Sequence, residues 1–524
     1  MSFMFLKVVI GATVIFATTW LLRKRDAQKN LPPGPSGKPI IGNISDLPAP
    51  GTQDWMHWLK HKQLYGPISS ITVMGQTIVI LNDIQTASEL LGKRSAKHSS
   101  RPKLVFASEM VGWEHILAMQ TYSERFRAYR KAMQPYLGSE QAASQYNTLQ
   151  EIESHRFLFR VLKDQDKLSE HIQTEAGAVI LKIAYGYTIE SLERDPLVHM
   201  ANLALEHFSI AGTPGAFLVD MIPILKFIPA WFPGTGFKHK AQKWRENLEN
   251  VAERPYKFVQ KCMERGKYEA SYLSNLFEAN GYPSSGSEEE TIAKWTSASL
   301  YTGGADTTVS AIETFFLAMA LFPDIQHKAR SEIEQVLGSC QLPRMTDRAR
   351  LPYVDAVVKE VLRWHPVAPM GIPHMSTEDD TWNEYFIPKG SLLMPNIWGL
   401  THDPETYHDP MSFKPERFIV SDEREPEMDP HGIVFGFGRR VCPGRFLADN
   451  TLFLTVARSL AVFSIETDKE DQDNLDDVPR FLPGVISHPV PRKFRITPLT
   501  SAHEALINSI EIETPWQKGD ASSL

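Results

Sequence analysis

Cysteine is scarce in this 524-residue sequence: Cys262, Cys340 and Cys442 are the only three, widely spaced and odd in number. A disulfide framework and a C-x-x-C zinc site are thereby excluded, and a reducing compartment fits best. An excess of basic charge is also missing, because 55 Lys and Arg stand against 62 Asp and Glu for a net charge of −7. Whole-surface attraction to nucleic acid needs the opposite balance, so no nucleic-acid partner is expected. No internal repeat is visible, and no Gly-rich flavin or nicotinamide fingerprint occurs. The polar stretches at 284–290, 421–430 and 468–477 read as surface loops, too short to separate domains. What is present is an ordinary 42% of hydrophobic residues, enough for a large core.

The amino terminus departs from that average. Residues 3–22 are apolar except for Lys7 and a few Thr, and Arg23, Lys24 and Arg25 follow at once. Twenty helical residues span about 30 Å, the thickness of a bilayer core, and Lys7 lies near enough to the end to snorkel. A cleaved signal peptide wants a shorter apolar core and a small-residue cleavage site. The expectation is therefore a single retained anchor over 1–22, with the basic cluster and everything after it on the cytosolic side. The Asn43 sequon would then be unused.

The basic and proline-rich stretch 23–41 reads as a stiff linker. Residues 68–81 alternate as strands, most of 83–365 carries helical spacing broken by Pro and Gly, and strand-like pieces return at 385–394. A mainly helical α+β unit with small sheets is expected over 42–499, with a polar tail over 500–524 that frays. Residues 212–233 are apolar but too rich in proline to cross a bilayer as one helix. They read equally as a core loop or as a second surface dipping into a membrane.

The chemistry concentrates at 435–448, FGFGRRVCPGRFLA. Glycines let backbone approach a flat cofactor. Pro443 suits a first helical position, which puts Cys442 at a helix amino terminus whose dipole and free N–H groups favour a thiolate. A lone cysteine is usually structural; this flanking pattern points the other way. The segment resembles the signature F-x-x-G-x-R-x-C-x-G of the cytochrome P-450 haem-thiolate enzymes, met at Phe435, Gly438, Arg440, Cys442 and Gly444. The resemblance implies haem b as cofactor, Cys442 as axial ligand to its iron, and Arg440 paired with a propionate.

Further matches follow in the family's order. Residues 291–322 contain no proline, long enough for a helix of about 48 Å. At its middle stands GGADTT, 303–308, where the glycine pair weakens the helix and the Thr307 hydroxyl can take the Gly303 carbonyl, opening a groove. Asp306 and Thr307 lie about 100° apart around the axis, so Thr307 can face the cofactor while Asp306 reaches solvent. A packing glycine pair beside a surface Asp is the plain alternative; the family's G-x-D/E-T motif favours a proton route. Glu360 and Arg363 share one helix face and match E-x-x-R, while residues 415–418 match P-E-R-F. By resemblance, Glu360, Arg363 and Arg417 brace the core. The resemblance also implies that His374 and Arg130 hold propionates. Phe126 departs from the pattern by standing where Trp is usual, and it lacks the indole donor.

The resemblance extends from the anchor to about residue 491 and implies a fungal microsomal monooxygenase in the endoplasmic reticulum membrane. Such an enzyme inserts one atom of O2 into a lipophilic small molecule, either a terpenoid, polyketide or indole of secondary metabolism or a foreign aromatic. Electrons would come from NADPH through a separate reductase, with cytochrome b5 as a second donor, and Arg125, Arg127 and Lys131 offer a basic face for it. Phe106, Phe217, Met370, Val485 and Ile486 are expected to flank the pocket. A haem-thiolate rearrangement or dehydration catalyst, or a non-catalytic haem sensor, would not need Asp306 and Thr307.

Overall fold

The computed structural model describes residues 30–49, 51–190, 194–213, 215–421, 425–468 and 480–524. The expected anchor and the basic cluster after it lie outside the described residues. Among the described residues no single helix is long and apolar enough to cross a membrane.

The helices that build the molecule are α1 (Asp54–Tyr65), α2 (Glu124–Leu137), α3 (Asn147–Lys163), α4 (Leu168–Tyr185), α5 (Pro196–Ala211), α6 (Gly236–Glu264), α7 (Glu288–Ala305), α8 (Thr307–Leu321), α9 (Pro323–Leu337), α10 (Pro352–Trp364), α11 (Arg445–Val462) and α12 (Ser501–Asn508). Their starts follow local chemistry. The Ser123 hydroxyl accepts from the Phe126 N–H to open α2, Ser287 caps α7 through the Glu290 N–H, and Asp195 opens α5 just before Pro196.

The main sheet has four strands, β1 (Ile68–Val73), β2 (Gln76–Leu81), β6 (Leu392–Pro395) and β3 (His374–Met375), in the order β1-β2-β6-β3. β1 and β2 form an antiparallel hairpin with Val73 opposite Gln76. Its two turn residues, Met74 and Gly75, both have positive φ, matching the right-handed twist of the strands. β2 pairs in parallel with β6. Two small antiparallel pairs complete the set: β4 (Asp380–Trp382) with β5 (Tyr385–Ile387), and β7 (Phe463–Thr467) with β8 (Phe494–Pro498). The mainly helical class with small sheets is as the sequence predicts.

Three expectations are corrected. The proline-rich stretch is no free spacer where it is described: the Pro32 carbonyl accepts from the Ser70 hydroxyl at 2.5 Å and the Pro33 carbonyl from the Ser70 N–H at 2.8 Å. Contacts with the sheets thus reach back past Gly42 to Asn30, whose carbonyl accepts from the Phe386 N–H at 2.6 Å. Nor is the tail frayed, because Ile507 and Ile510 are buried, the Leu506 carbonyl meets His155 Nε2 at 3.1 Å, and the Trp516 ring lies 4.8 Å from the Arg156 guanidinium. The buried Ile507 and Ile510 with the partly buried Leu506 and Trp516 are enough to seat it on the core, while Ile512 stays exposed. The run 291–322, finally, is two helices broken at Asp306.

Candidate active site

A cavity of about 380 Å³ lies among the helices, and two features of its lining carry the chemistry. On one side lies the loop 435–444 that runs into α11; on the other lies the junction of α7 and α8. Cys442 sits on the first wall, held by its own N–H, which donates to the Phe435 carbonyl at 2.8 Å. Gly438 is required for close approach as well as for its positive φ, because a Cβ there would overlap the Leu91 carbonyl. The helix starts later than predicted. Gly444 is the residue before its first turn, so Cys442 stands two residues ahead of it and Pro443 is not the first helical position. Burial pushes the Cys442 thiol up, while the Gly444 N–H and the charges of Arg130 and Arg445 act toward the thiolate.

Opposite the thiol, the Thr307 hydroxyl donates to the Gly303 carbonyl at 2.7 Å, as predicted. Gly303 is exposed although it is helical, and a Cβ added to it would meet nothing within 4 Å. Both residues and Gly304 line the cavity. Asp306 does not; it caps α8 outside the groove and accepts from His488 Nε2 at 3.4 Å. Asp306 keeps about a quarter of its side chain exposed, so it meets both solvent and an ion-pair partner.

Three guanidinium groups converge on the cavity: Arg130, Arg440 and Arg101, of which the sequence had marked only the first two. Arg101 is buried and donates to the carbonyls of Ala118 at 3.0 Å, Ile372 at 2.6 Å and Pro373 at 2.8 Å. Arg440 donates to the Ser99 and Gln120 carbonyls at 2.6 Å each, and Arg130 to that of Val441 at 2.8 Å. Among the described residues no carboxylate acts on any of them. Burial and the mutual repulsion of the cations hold Arg440 down to about 9. Arg101 is buried and Arg130 and Arg440 are half-buried; cations so shielded with no carboxylate beside them are costly, so this wall favours an anionic ligand. His374 belongs to the same wall. Its Nδ1 meets the His98 carbonyl at 2.7 Å, which fixes the proton there, and burial together with Arg101 pushes its pKa down. Phe126 lies under Arg440, whose guanidinium is 3.9 Å from the ring centroid. A ring-to-cation contact thus occupies the position where an indole would donate.

These features fit a flat cofactor with two carboxylates and a metal that takes sulfur. Arg101, Arg130, Arg440 and His374 could hold the carboxylates of haem and Cys442 its iron, and Gly303, where an added Cβ would meet nothing within 4 Å, would leave it room. Most of the rest of the lining is apolar, with Trp113, Ile116, Val179, Leu205, Phe208 and Val485 among it, and Ser299, Thr302 and Thr308 add hydroxyls. Of the pocket residues expected from sequence, Val485 and Ile486 line the cavity. Phe106 stacks on Phe217 at 3.4 Å beside Trp244, outside the lining, and Met370 packs against the cluster of Trp58, Ile71 and Ile80.

Glu360, Arg363 and Arg417 come together as predicted, fully buried. The Arg363 fork donates to both Glu360 oxygens at 2.7 and 2.9 Å and to the Thr401 and Pro410 carbonyls. Arg417 reaches Glu360 at 3.1 Å and Glu427 at 2.6 Å.

A second ionic cluster ties the segment before the cysteine loop to α11. His431 sits between Asp429 at 2.6 Å and Asp449 at 2.9 Å, and Asp449 also meets Arg348 at 2.6 Å. Against burial, which lowers it, the two carboxylates push His431 up to about 9. A raised pKa gives stability that is full below the unfolded value of about 6.5 and is lost as pH rises through the folded one. Thermal unfolding of the wild type is therefore expected to move to lower temperature between pH 6.5 and 10, and His431→Gln to flatten that slope. A slope unchanged in the variant would contradict the assignment.

The comparisons agree with this geometry. A family model described as Cytochrome P450 matches residues 32–496. The chain is 47% identical to Cytochrome P450 monooxygenase ppsD of Aspergillus oryzae, with 96% of each chain covered. It is 45% identical to Cytochrome P450 monooxygenase claR of Ampulloclitocybe clavipes, over 97% of this chain and 94% of that one. It is 43% identical to O-methylsterigmatocystin oxidoreductase of Aspergillus flavus, over 96% and 95%. A cavity lined by Cys442 and three guanidinium groups is consistent with the match along almost the whole sequence, and that match settles it: the chain belongs to the cytochrome P450 family of monooxygenases.

Proposed function

We propose that this monooxygenase inserts one oxygen atom from O2 into a lipophilic small molecule of fungal secondary metabolism, of terpenoid, polyketide or indole type, or into a foreign aromatic. The carrying observation is the juxtaposition of Cys442 and the Gly303–Thr307 break across one apolar cavity. Haem, when bound there, supplies the activation of dioxygen by electrons and protons. The chain supplies the rest. Arg101, Arg130, Arg440 and His374 orient the cofactor by its carboxylates, and the apolar wall desolvates the substrate and excludes water. Thr307, whose proton is committed to the Gly303 carbonyl, has lone pairs left to hold a water in the groove. Asp306, at the outer end of the same break, is placed to pass protons from solvent toward that water. The names of the relatives support small-molecule oxidation.

Electrons are proposed to come from NADPH through a separate reductase, cytochrome b5 being the second donor. Of the basic face expected to meet it, Arg125 is paired with Glu288 at 2.6 and 2.7 Å and Arg127 with Glu124 at 3.3 Å. Lys131 is exposed and carries that reading furthest. The reading also places the catalytic unit on the cytosolic face of the endoplasmic reticulum. Its support is the apolar amino terminus together with a cluster of exposed apolar side chains, Leu218, Ile224, Phe227 and Trp231, each at least 66% exposed. Leu218 stands on the short helix Leu218–Met221, Ile224 and Phe227 on the 3-10 turn Pro223–Phe227, and Trp231 in the turn that follows.

The test is Thr307→Ala in the haem-loaded enzyme with reductase, its substrate found by metabolite profiling of a strain expressing both. Haem content and substrate affinity are expected to persist while NADPH oxidation continues. Product per NADPH should fall about tenfold, equivalent to roughly 1.4 kcal/mol of barrier, and hydrogen peroxide should rise to match. An unchanged product yield per NADPH would sink the oxygen-insertion reading.

A further inference from the structure

Asp306 is not alone at the mouth of the helix break. His488, from the segment just after Val485 and Ile486, lies between two carboxylates of the α7 to α8 region: Nδ1 meets Glu313 at 2.9 Å and Nε2 meets Asp306 at 3.4 Å. The two contacts differ in kind. Glu313 is anchored from behind by the Ser169 hydroxyl at 2.6 Å, which makes it the fixed end, whereas the longer Asp306 contact is the one that can exchange.

The segment that carries His488 is itself pinned. The Ser487 N–H donates to the Val367 carbonyl at 2.9 Å, its carbonyl accepts from the Ser310 hydroxyl of α8 at 2.6 Å, and its hydroxyl meets His365 Nε2 at 2.8 Å and the Leu482 carbonyl at 2.8 Å. His488 is thus held relative to α8 by the backbone next to it. Its neighbours Val485 and Ile486 line the cavity. One pinned turn therefore contacts both the substrate space and the acid at the groove. The charged groups around His488 are Asp306 and Glu313, with His365 as the nearest other imidazole; burial and the His488 charge push His365 down, leaving it neutral. Burial lowers the His488 pKa, but the two carboxylates push it up to about 10, so the ring is a cation at neutral pH.

We infer that His488 is the positioning residue for Asp306: clamped on Glu313, it holds the Asp306 carboxylate at the outer end of the helix break, so that protons enter the groove through that acid and not through an open gap. A cation here has a purpose that packing does not require, since either an apolar side chain or a glutamine could fill a partly exposed site between helices. The inference rests on the oxygen-activating reading of the cavity.

The test uses the haem-loaded enzyme with an NADPH-dependent reductase and follows NADPH, O2 and hydrogen peroxide together. Peroxide formation consumes one NADPH per O2, whereas full reduction to water consumes two, so the ratio reports the second proton delivery even before a substrate is known. His488→Gln should raise the peroxide fraction about threefold, as expected from losing one partly exposed charge contact. It should also change the solvent deuterium isotope effect on O2 consumption. His488→Lys, which keeps the cation, should restore at least half of the wild-type ratio. Glu313→Gln, which removes the anchor without touching Asp306, should move the ratio in the same direction by less. The double variant His488→Gln with Asp306→Asn should behave as Asp306→Asn alone, because the histidine acts through that acid. A wild-type ratio and isotope effect in His488→Gln, or an effect that adds in full to Asp306→Asn, would overturn the inference while leaving the oxygen-activating reading intact. Absence of NADPH-dependent O2 consumption in the wild type would overturn both.

Discussion

Arg363→Ala is expected to yield little soluble, haem-bearing protein. The guanidinium is fully buried and makes five hydrogen bonds, two to Glu360 and three to the carbonyls of Thr401, Pro410 and Ser412. Removing it leaves the Glu360 carboxylate in the core with, among the described residues, Arg417 and the Lys414 N–H as partners, and it takes the side-chain donor from the Thr401 and Pro410 carbonyls, whereas that of Ser412 keeps Arg417 at 3.2 Å. Breaking a buried pair from one side costs about 3 to 5 kcal/mol, a large share of the roughly 5 to 15 kcal/mol that holds a protein folded. The network joins α10 to the 401–417 segment that leads into the cysteine loop, so the loss should reach the cofactor site. Arg363→Lys keeps a charge but loses the planar fork and should fall between the two. Thermal unfolding and the ratio of haem to protein measure this. An alanine variant with wild-type unfolding temperature would show that the network is not a brace.

Much of this site was legible in the sequence because its signals are local. The loop around Cys442, the hairpin at 68–81, and the pairing of Glu360 with Arg363 each depend on residues within one turn or one loop of each other. What could not be read depends on the meeting of distant segments. Arg101 carries no periodic pattern, and its role emerges only when the Ile372 and Pro373 carbonyls and Arg440 arrive from elsewhere in the chain. His488 is a single histidine in a loop until folding sets it against Asp306 and Glu313.

Other misses have different causes. The absence of proline in 291–322 argued for one helix opened into a groove at its glycine pair; the Thr307 hydroxyl does take the Gly303 carbonyl as expected, but the helix breaks outright at Asp306. Pro443 looked like a helix start; the turn instead continues to Gly444, so the Gly444 N–H itself is left to reach the sulfur. The tail read as polar by composition, yet four residues (His503, Ile507, Ile510 and Trp516) suffice to dock it.

The second large effect concerns Cys442 itself. Serine is close to cysteine in size, so Cys442→Ser should fold and keep the hydrogen bond from its N–H to the Phe435 carbonyl, which involves no side chain. The cationic wall of Arg101, Arg130 and Arg440 is untouched, and the cofactor's carboxylates should still be held. What is lost is the soft anionic ligand that the Gly444 N–H, Arg130 and Arg445 favour. Oxygen insertion should fall below detection, a much larger change than Thr307→Ala brings.

The most direct measurement is the absorption spectrum of the reduced, haem-loaded protein under carbon monoxide. With Cys442 ligating through sulfur, the wild type should give the red-shifted Soret band of a thiolate-bound haem, and Cys442→Ser should lose that band while retaining haem. A wild type without the band, or a variant that keeps it, would contradict the assignment of Cys442 as the residue that would hold the iron.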